Sequence, residues 1–188
     1  MIKLKDSRLL LKILIWVSIY SGVLLVGCKD KRGIATGVTP LDTSAETLIR
    51  KQKEIMKNES QDIDFYIARR GYKMNTTKTG LRYLINTANL PGDSIRALEQ
   101  VSIKYKVSLL NGETIYTSDS TGNMNITIGR SDVANGLQEG LQLMRTGERA
   151  LFIIPSHLGY GLTGDGDKIK GYQTLVVEVD SLVKNINN

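Results

Sequence analysis

The chain has 188 residues, 25 Lys and Arg against 19 Asp and Glu, a formal net charge of +6, one cysteine and one histidine. That inventory excludes an internal disulfide, a multi-histidine metal site and any histidine relay longer than one residue. Charges of both signs alternate, as from Arg50 to Glu54, from Arg96 to Glu99 and from Arg145 to Arg149. No basic face with interleaved aromatics forms, so nucleic acid is not an expected partner.

Lys3, Lys5, Arg8 and Lys12 precede an apolar run, Ile13 to Gly27, that ends in Leu25-Val26-Gly27-Cys28. The run is shorter than the ~20 residues a membrane-spanning helix needs, so it reads as a cleaved signal. Small residues just ahead of a cysteine suit a peptidase that cuts before a lipid-bearing thioether. Residues 1–27 are therefore predicted to be removed and Cys28 to carry a diacylglycerol anchor. Loss of four cations and Asp6 lowers the net charge from +6 to +3. About 160 residues remain, enough for one domain and a tether.

Residues 28–42 are polar, with Gly33, Gly37 and Pro40, and read as a flexible tether. Thr43 and Glu46 stand at capping-box spacing and open a predicted helix to about Lys57. Asp62 is placed to cap a second, with Ile63, Tyr66 and Ile67 on one face and Gly71 as its stop. This helical segment, 43–75, is expected to dock on the following domain, 76–188, without being part of its catalytic unit, so that a fragment from about Asn75 stays folded.

From Thr76 the pattern is β. Gly80 to Ile85 alternates, and Val101, Ile103, Tyr105, Val107 and Leu109 fall on one face of a half-buried antiparallel strand. Asn111-Gly112 predicts a hairpin that returns Glu113 to Thr117 along the same sheet. Val133, Leu137, Leu141 and Met144 have helical spacing over about 133–144, and Gly136 and Gly140 permit close approach to a sheet. Strands at Arg149 to Pro155 and Thr174 to Val183 flank a Gly-rich loop, His157 to Gln173, too long for a plain connector.

The familiar catalytic constellations are missing. Ser156 and His157 are sequence neighbours whose side chains point apart in extended chain, so they make no nucleophile pair. No phosphate-cradling glycine motif opens a helix, which argues against a nucleotide cofactor. Asp165-Gly166-Asp167 lacks the later acidic ligands of a calcium loop and reads as a solvated turn. Neither a metal nor any other cofactor is expected.

One ordered series carries more. Tyr105 on a strand, Asn111-Gly112 to Tyr116, Ile128-Gly129, Val133-Ala-Asn-Gly136-Leu-Gln-Glu-Gly140, Met144 to Arg149, Ile154-Pro155 to Gly159-Tyr160-Gly161, and Thr174 to Val179 follow one another without a break in order. From about Gly80 to Val183 this resembles the FKBP-type peptidyl-prolyl cis-trans isomerases. With the lipoprotein signal and the preceding helices, the whole chain is similar to the gliding-motility-associated FKBP lipoproteins of the Bacteroidetes.

The resemblance implies an α+β fold in which a five- or six-stranded antiparallel sheet curls around the short helix. A cleft between them would take proline-containing polypeptides. Its catalytic contacts would be Tyr160, Tyr116 and the backbone N–H of Ala134; its substrate pocket would be Tyr105, Thr117, Met124, Val133, Leu137, Ile169 and Val177. Leu137 forms the floor, where tryptophan is usual. Thr117 replaces an aspartate, with Asp119 nearby, Met124 and Val177 replace aromatics, and Lys170-Gly171 replaces a proline-bearing stretch. A roomier, less aromatic pocket with reduced turnover is the expectation. The resemblance also implies a membrane-held protein of the cell envelope, with Lys29 weakly favouring the outer membrane and a periplasm-facing domain. Its clients would be envelope or exported proteins of a motility or secretion apparatus. The alternative is a non-catalytic binding module using the same cleft or the helical segment.

Overall fold

The computed structural model describes residues 45–86 and 92–185. The signal, Cys28, the tether and the Thr43 cap lie outside the described residues.

Where two short helices were predicted there is one, α1, Ala45–Arg70, of 26 residues. Nothing between Lys57 and Asp62 breaks a helix: Asn58-Glu-Ser-Gln contains neither proline nor glycine, so propagation at about one hydrogen bond per residue continues. Asp62 is thus an exposed interior position and not a cap. Gly71 does end the helix, at φ +67°, with its N–H bonded to Ala68 O and that of Tyr72 to Ile67 O.

Seven antiparallel strands follow: β1 Asn75–Thr76, β2 Arg82–Asn86, β3 Gln100–Leu109, β4 Thr114–Thr117, β5 Met124–Thr127, β6 Arg149–Ile154 and β7 Leu175–Lys184. They form one sheet in the order β1-β2-β6-β7-β3-β4, with β5 also on β3. The number exceeds the predicted five or six for two reasons. A two-residue β1 adds to one edge, and β4 and β5 share the other, pairing with Lys106–Ser108 and with Gln100–Ile103 of β3. Between them sits α2, the helical turn Ser118–Thr121. The Asn111-Gly112 hairpin forms as predicted: Gly112 takes φ +92° and donates to Leu109 O, while Asn111 Oδ1 accepts the Glu113 N–H.

Alternation along β3 places Val101, Ile103, Tyr105 and Val107 on the buried side. Strand β7 needs a correction to keep pace. A register shift opposite Lys104 and Tyr105 inserts Asp180, so its inward residues run Leu175, Val177, Val179 and then Leu182.

Helix α3 spans Asn135–Gln142, shorter than the predicted 133–144. Gln138 explains the late start. Its Nε2 donates to the carbonyls of Ser131 and Val133 and its Oε1 accepts the Gly129 N–H, so the segment before the helix is held as a loop. Two glycines let α3 lie against β6. A Cβ on Gly136 would come 2.5 Å from Ile154 Cγ2, and one on Gly140 would come 2.7 Å from Phe152 Cε1.

The sheet is covered on both faces. On one side α3 closes a large core with Val101, Ile103, Tyr105, Phe152, Ile154, Val177 and Leu182 among others. On the other, Ile63 and Tyr66 of α1 meet Ile153 and Val176, flanked by Leu110, Leu151 and Tyr72. The helical segment therefore completes a second core, and Ile153 and Val176 depend on it for their burial.

Candidate active site

The residues implied by the family resemblance converge on the α3 side of the sheet. Tyr105, Ala134, Leu137, Ile169 and Val177 are buried in that core, and Tyr116, Met124, Val133 and Tyr160 are partly buried against it. Strand register explains much of this. Val177 on β7 lies between Val107 of β3 and Phe152 of β6, and Leu137 faces them from the first turn of α3.

Tyr105 is held at both ends. Its N–H, at the gap between β4 and β5, donates to the buried Ser118 Oγ at 3.2 Å, so α2 satisfies a donor the broken edge would otherwise orphan. Its hydroxyl lies 3.0 Å from Thr121 Oγ1. Thr117, expected at the pocket rim, is instead engaged in starting α2. Its Oγ1 accepts the Asp119 N–H and its carbonyl accepts the hydroxyls of Ser120 and Thr121. Asp119 turns to the solvent side, where it pairs with Lys104 at 3.2 Å.

The acid that the Thr117 position lacks arrives from elsewhere. Tyr116 donates its hydroxyl to Asp165 Oδ2 at 2.6 Å, with Asp167 Oδ2 at 3.2 Å, and Lys168 Nζ lies 5.2 Å from the ring centroid. Asp165 Oδ1 accepts the N–H groups of Asp167 and Ile169, each at 2.9 Å. The solvated turn predicted at Asp165-Gly166-Asp167 is thus a latch: it ties the long loop to β4 and seats Ile169 in the wall. The carboxylate bond raises the Tyr116 pKa far above the ordinary phenol value, helped by burial. For Asp165 burial works against ionisation, but the Tyr116 hydroxyl and the two N–H groups outweigh it and hold the carboxyl below its usual range.

Tyr160 completes the arrangement. Burial pushes its hydroxyl pKa up, Asp165 and Asp132 push the same way, and the Ala134 N–H facing it pulls down. The Tyr160 ring packs, partly buried, against the core that contains Ala134, the residue just before α3. Ser156 and His157 diverge as expected: the serine hydroxyl goes to Glu59 Oε2 and the imidazole Nε2 lies 3.0 Å from Thr79 O. Among the described residues no group of His, Cys, Asp and Glu is arranged to hold a metal ion, and no helix is long and apolar enough to cross a membrane.

Residues 92–182 match the family model of the FKBP-type peptidyl-prolyl cis-trans isomerases. This domain belongs to that family. A probable FKBP-type isomerase of Haemophilus influenzae is 33% identical over 137 residues, covering 72% of this chain and 56% of that one. The probable isomerase FkpA of Neisseria meningitidis is 38% identical over 111 residues, 59% of this chain and 40% of its own. The chain thus spans about half the length of these curated relatives. Among solved structures, FkpA from Escherichia coli superposes with a TM-score of 0.60 at 22% identity, over 98% of this chain and 84% of that one, a likeness of fold.

Within the FKBP-type domain Tyr105, Tyr116, Tyr160, Leu137 and Val177 lie in or against one core. Two contributors carried no local signal. Asp165 reaches Tyr116 across 49 positions, and Glu59, on α1, reaches the far ends of the long loop.

Proposed function

We propose that the FKBP-type domain isomerises X-Pro bonds of polypeptide clients while a lipid on Cys28 holds it at a membrane of the cell envelope. The carrying observation is the gathering of Tyr160, which carries a hydroxyl donor, and Ala134, which carries a backbone donor, around a floor of Leu137, Val177 and Tyr105. Prolyl isomerisation breaks no σ bond; the amide must only twist out of plane against a barrier of about 20 kcal/mol. A dry floor disfavours the more polar planar form, and two fixed donors hold the substrate carbonyls while the ring turns. No acid, base or cofactor takes part. Tyr116 is latched to Asp165, so its contribution is a fixed wall.

The Leu25-Val26-Gly27-Cys28 junction supports the anchor, and Lys29 supports an outer-membrane, periplasm-facing placement. The family resemblance of the whole chain supports clients in a motility or secretion apparatus. A protease-coupled assay on the chain from residue 29 should show faster isomerisation of X-Pro peptides than buffer gives. Binding of a proline-containing client without acceleration would replace this reading with a non-catalytic module. Labelled fatty acid should enter the wild-type chain and fail to enter Cys28→Ser.

A further inference from the structure

Helix α1 reaches the long loop as well as the sheet. Glu59 is half-buried one turn before Ile63, and its carboxylate makes three short contacts. Oε1 accepts the Ser156 N–H at 2.6 Å and the Thr174 hydroxyl at 2.6 Å, and Oε2 accepts the Ser156 hydroxyl at 2.9 Å. Ser156 and Thr174 are both buried. They are also the two feet of the loop: Ser156 follows Pro155 at the end of β6, and Thr174 directly precedes β7. Tyr160, Asp165 and Ile169 all lie between them.

The contacts continue inward. Ser156 O accepts the N–H of Gly159 at 3.0 Å and of Gly161 at 2.8 Å, the two residues flanking Tyr160. Gly161 O in turn accepts the N–H of Tyr172, which sits at φ +59° near the far foot. An ionised carboxylate makes stronger hydrogen bonds than a neutral acceptor, and one placed on both feet fixes their separation. The helix supplies this acceptor from outside the family-matched stretch, which begins at residue 92.

We propose that Glu59 is a positioning residue: it clamps the two ends of the active-site loop and thereby fixes the place of Tyr160 within it. The inference rests on the isomerase reading above. It makes α1 part of the catalytic geometry and not merely a cover for Ile153 and Val176. A purely structural Glu59 would glue the helix to the domain and affect turnover only through unfolding.

The two are separated by comparing Glu59→Gln, Thr174→Val and Ile63→Val in the chain from residue 29. Ile63→Val loosens the docking of α1 without touching the loop bonds. Steady-state kinetics on an X-Pro peptide and amide exchange of residues 156–174 against β3 provide the readouts. Glu59→Gln is expected to lower kcat about five-fold with KM little changed, the size of losing part of a charged hydrogen-bond set. Exchange at Gly159, Gly161 and Tyr172 should quicken while β3 holds its rates. Thr174→Val, which removes one contact of three, should fall between Glu59→Gln and wild type. Ile63→Val should lower the melting temperature and leave kcat and loop exchange unchanged.

An unchanged kcat in Glu59→Gln overturns the proposal, whether or not loop exchange quickens. So does an equal loss of kcat in Ile63→Val. If wild type fails to isomerise at all, the isomerase reading falls separately, and unchanged loop exchange in Glu59→Gln would then dispose of the clamp as well.

Discussion

The two faces of the sheet are held by opposite means. On the site face, eight residues of α3 sit so close to β6 that Gly136 and Gly140 leave no room for a methyl group. On the other, 26 residues of α1 bury only Ile63 and Tyr66 and otherwise hold on through side chains, with Glu59 on the loop feet and Arg82 on Asp64 and Ser60. Helix length is therefore a poor guide to what a helix does. Steric contact locks α3 in one place, while α1 is fixed at a few polar and apolar points, each of which a single substitution can remove.

The contrast is tested most severely by removing α1. A fragment from Asn75 is expected to lose cooperative unfolding, because Ile153 and Val176 become exposed and both loop feet lose Glu59. Ile63→Ala alone should cost about 2–5 kcal/mol, read from the urea midpoint. A fragment from Asn75 that unfolds cooperatively near the wild-type midpoint would make α1 dispensable, as the sequence pattern suggested.

Overpacking the other face should cost less. Gly140→Ala places a methyl 2.7–2.9 Å from three ring atoms of Phe152, which is fully buried and cannot easily yield. The expected loss is about 1–3 kcal/mol in the same measurement. A neutral result would mean that α3 floats on the sheet, and the contrast between the faces would vanish.

Much of the α3 face was legible in the sequence because its determinants are local. Alternation along β3, the Asn111-Gly112 turn and glycines spaced one helical turn apart are each patterns readable within a few residues of chain. On the α1 face the determinants are distant. Glu59 meets partners 97 and 115 positions away, and a polar stretch such as Asn58 to Gln61 shows no period to mark it as helix, so one helix read as two. Asp165 was misread for the same reason: an aspartate beside glycine looks like a turn, and nothing near it names Tyr116. The Asp180 insertion is likewise visible only once β3 and β7 are paired.

Within the site, Tyr160→Phe should lower kcat/KM about ten-fold, from the ~1.5 kcal/mol of one hydrogen bond. His157→Ala should change it little, and the wild-type profile should be flat around neutral pH because no ionisable group takes part in the reaction.

The smallest expected effect belongs to the latch. The Asp165 pKa is depressed in the folded protein, so its contribution is present above the unfolded value of about 3.9 and is lost as pH falls through the lower folded one. The Tyr116 pKa is raised, so its contribution is present below about pH 10 and is lost as pH rises through the higher folded value. The stability difference between wild type and Tyr116→Phe should therefore be about 1 kcal/mol and level from roughly pH 5 to 9, falling off on both sides. A difference that varies inside that window would assign the latch to other groups.

The broken margin of the sheet has one more consequence. A protein that handles unfolded polypeptide is exposed to chains whose own backbone donors and acceptors seek a strand to lie against. A long, flat border would template them, and the encounter would end in cross-β growth and not in release. Among the described residues one border is the two residues of β1 with the stretch 84–86 of β2 that it leaves uncovered, and the other is cut by α2 into two four-residue pieces, with the Tyr105 N–H already capped by Ser118. Each border is short and interrupted, which under the proposed function would disfavour the addition of a client strand.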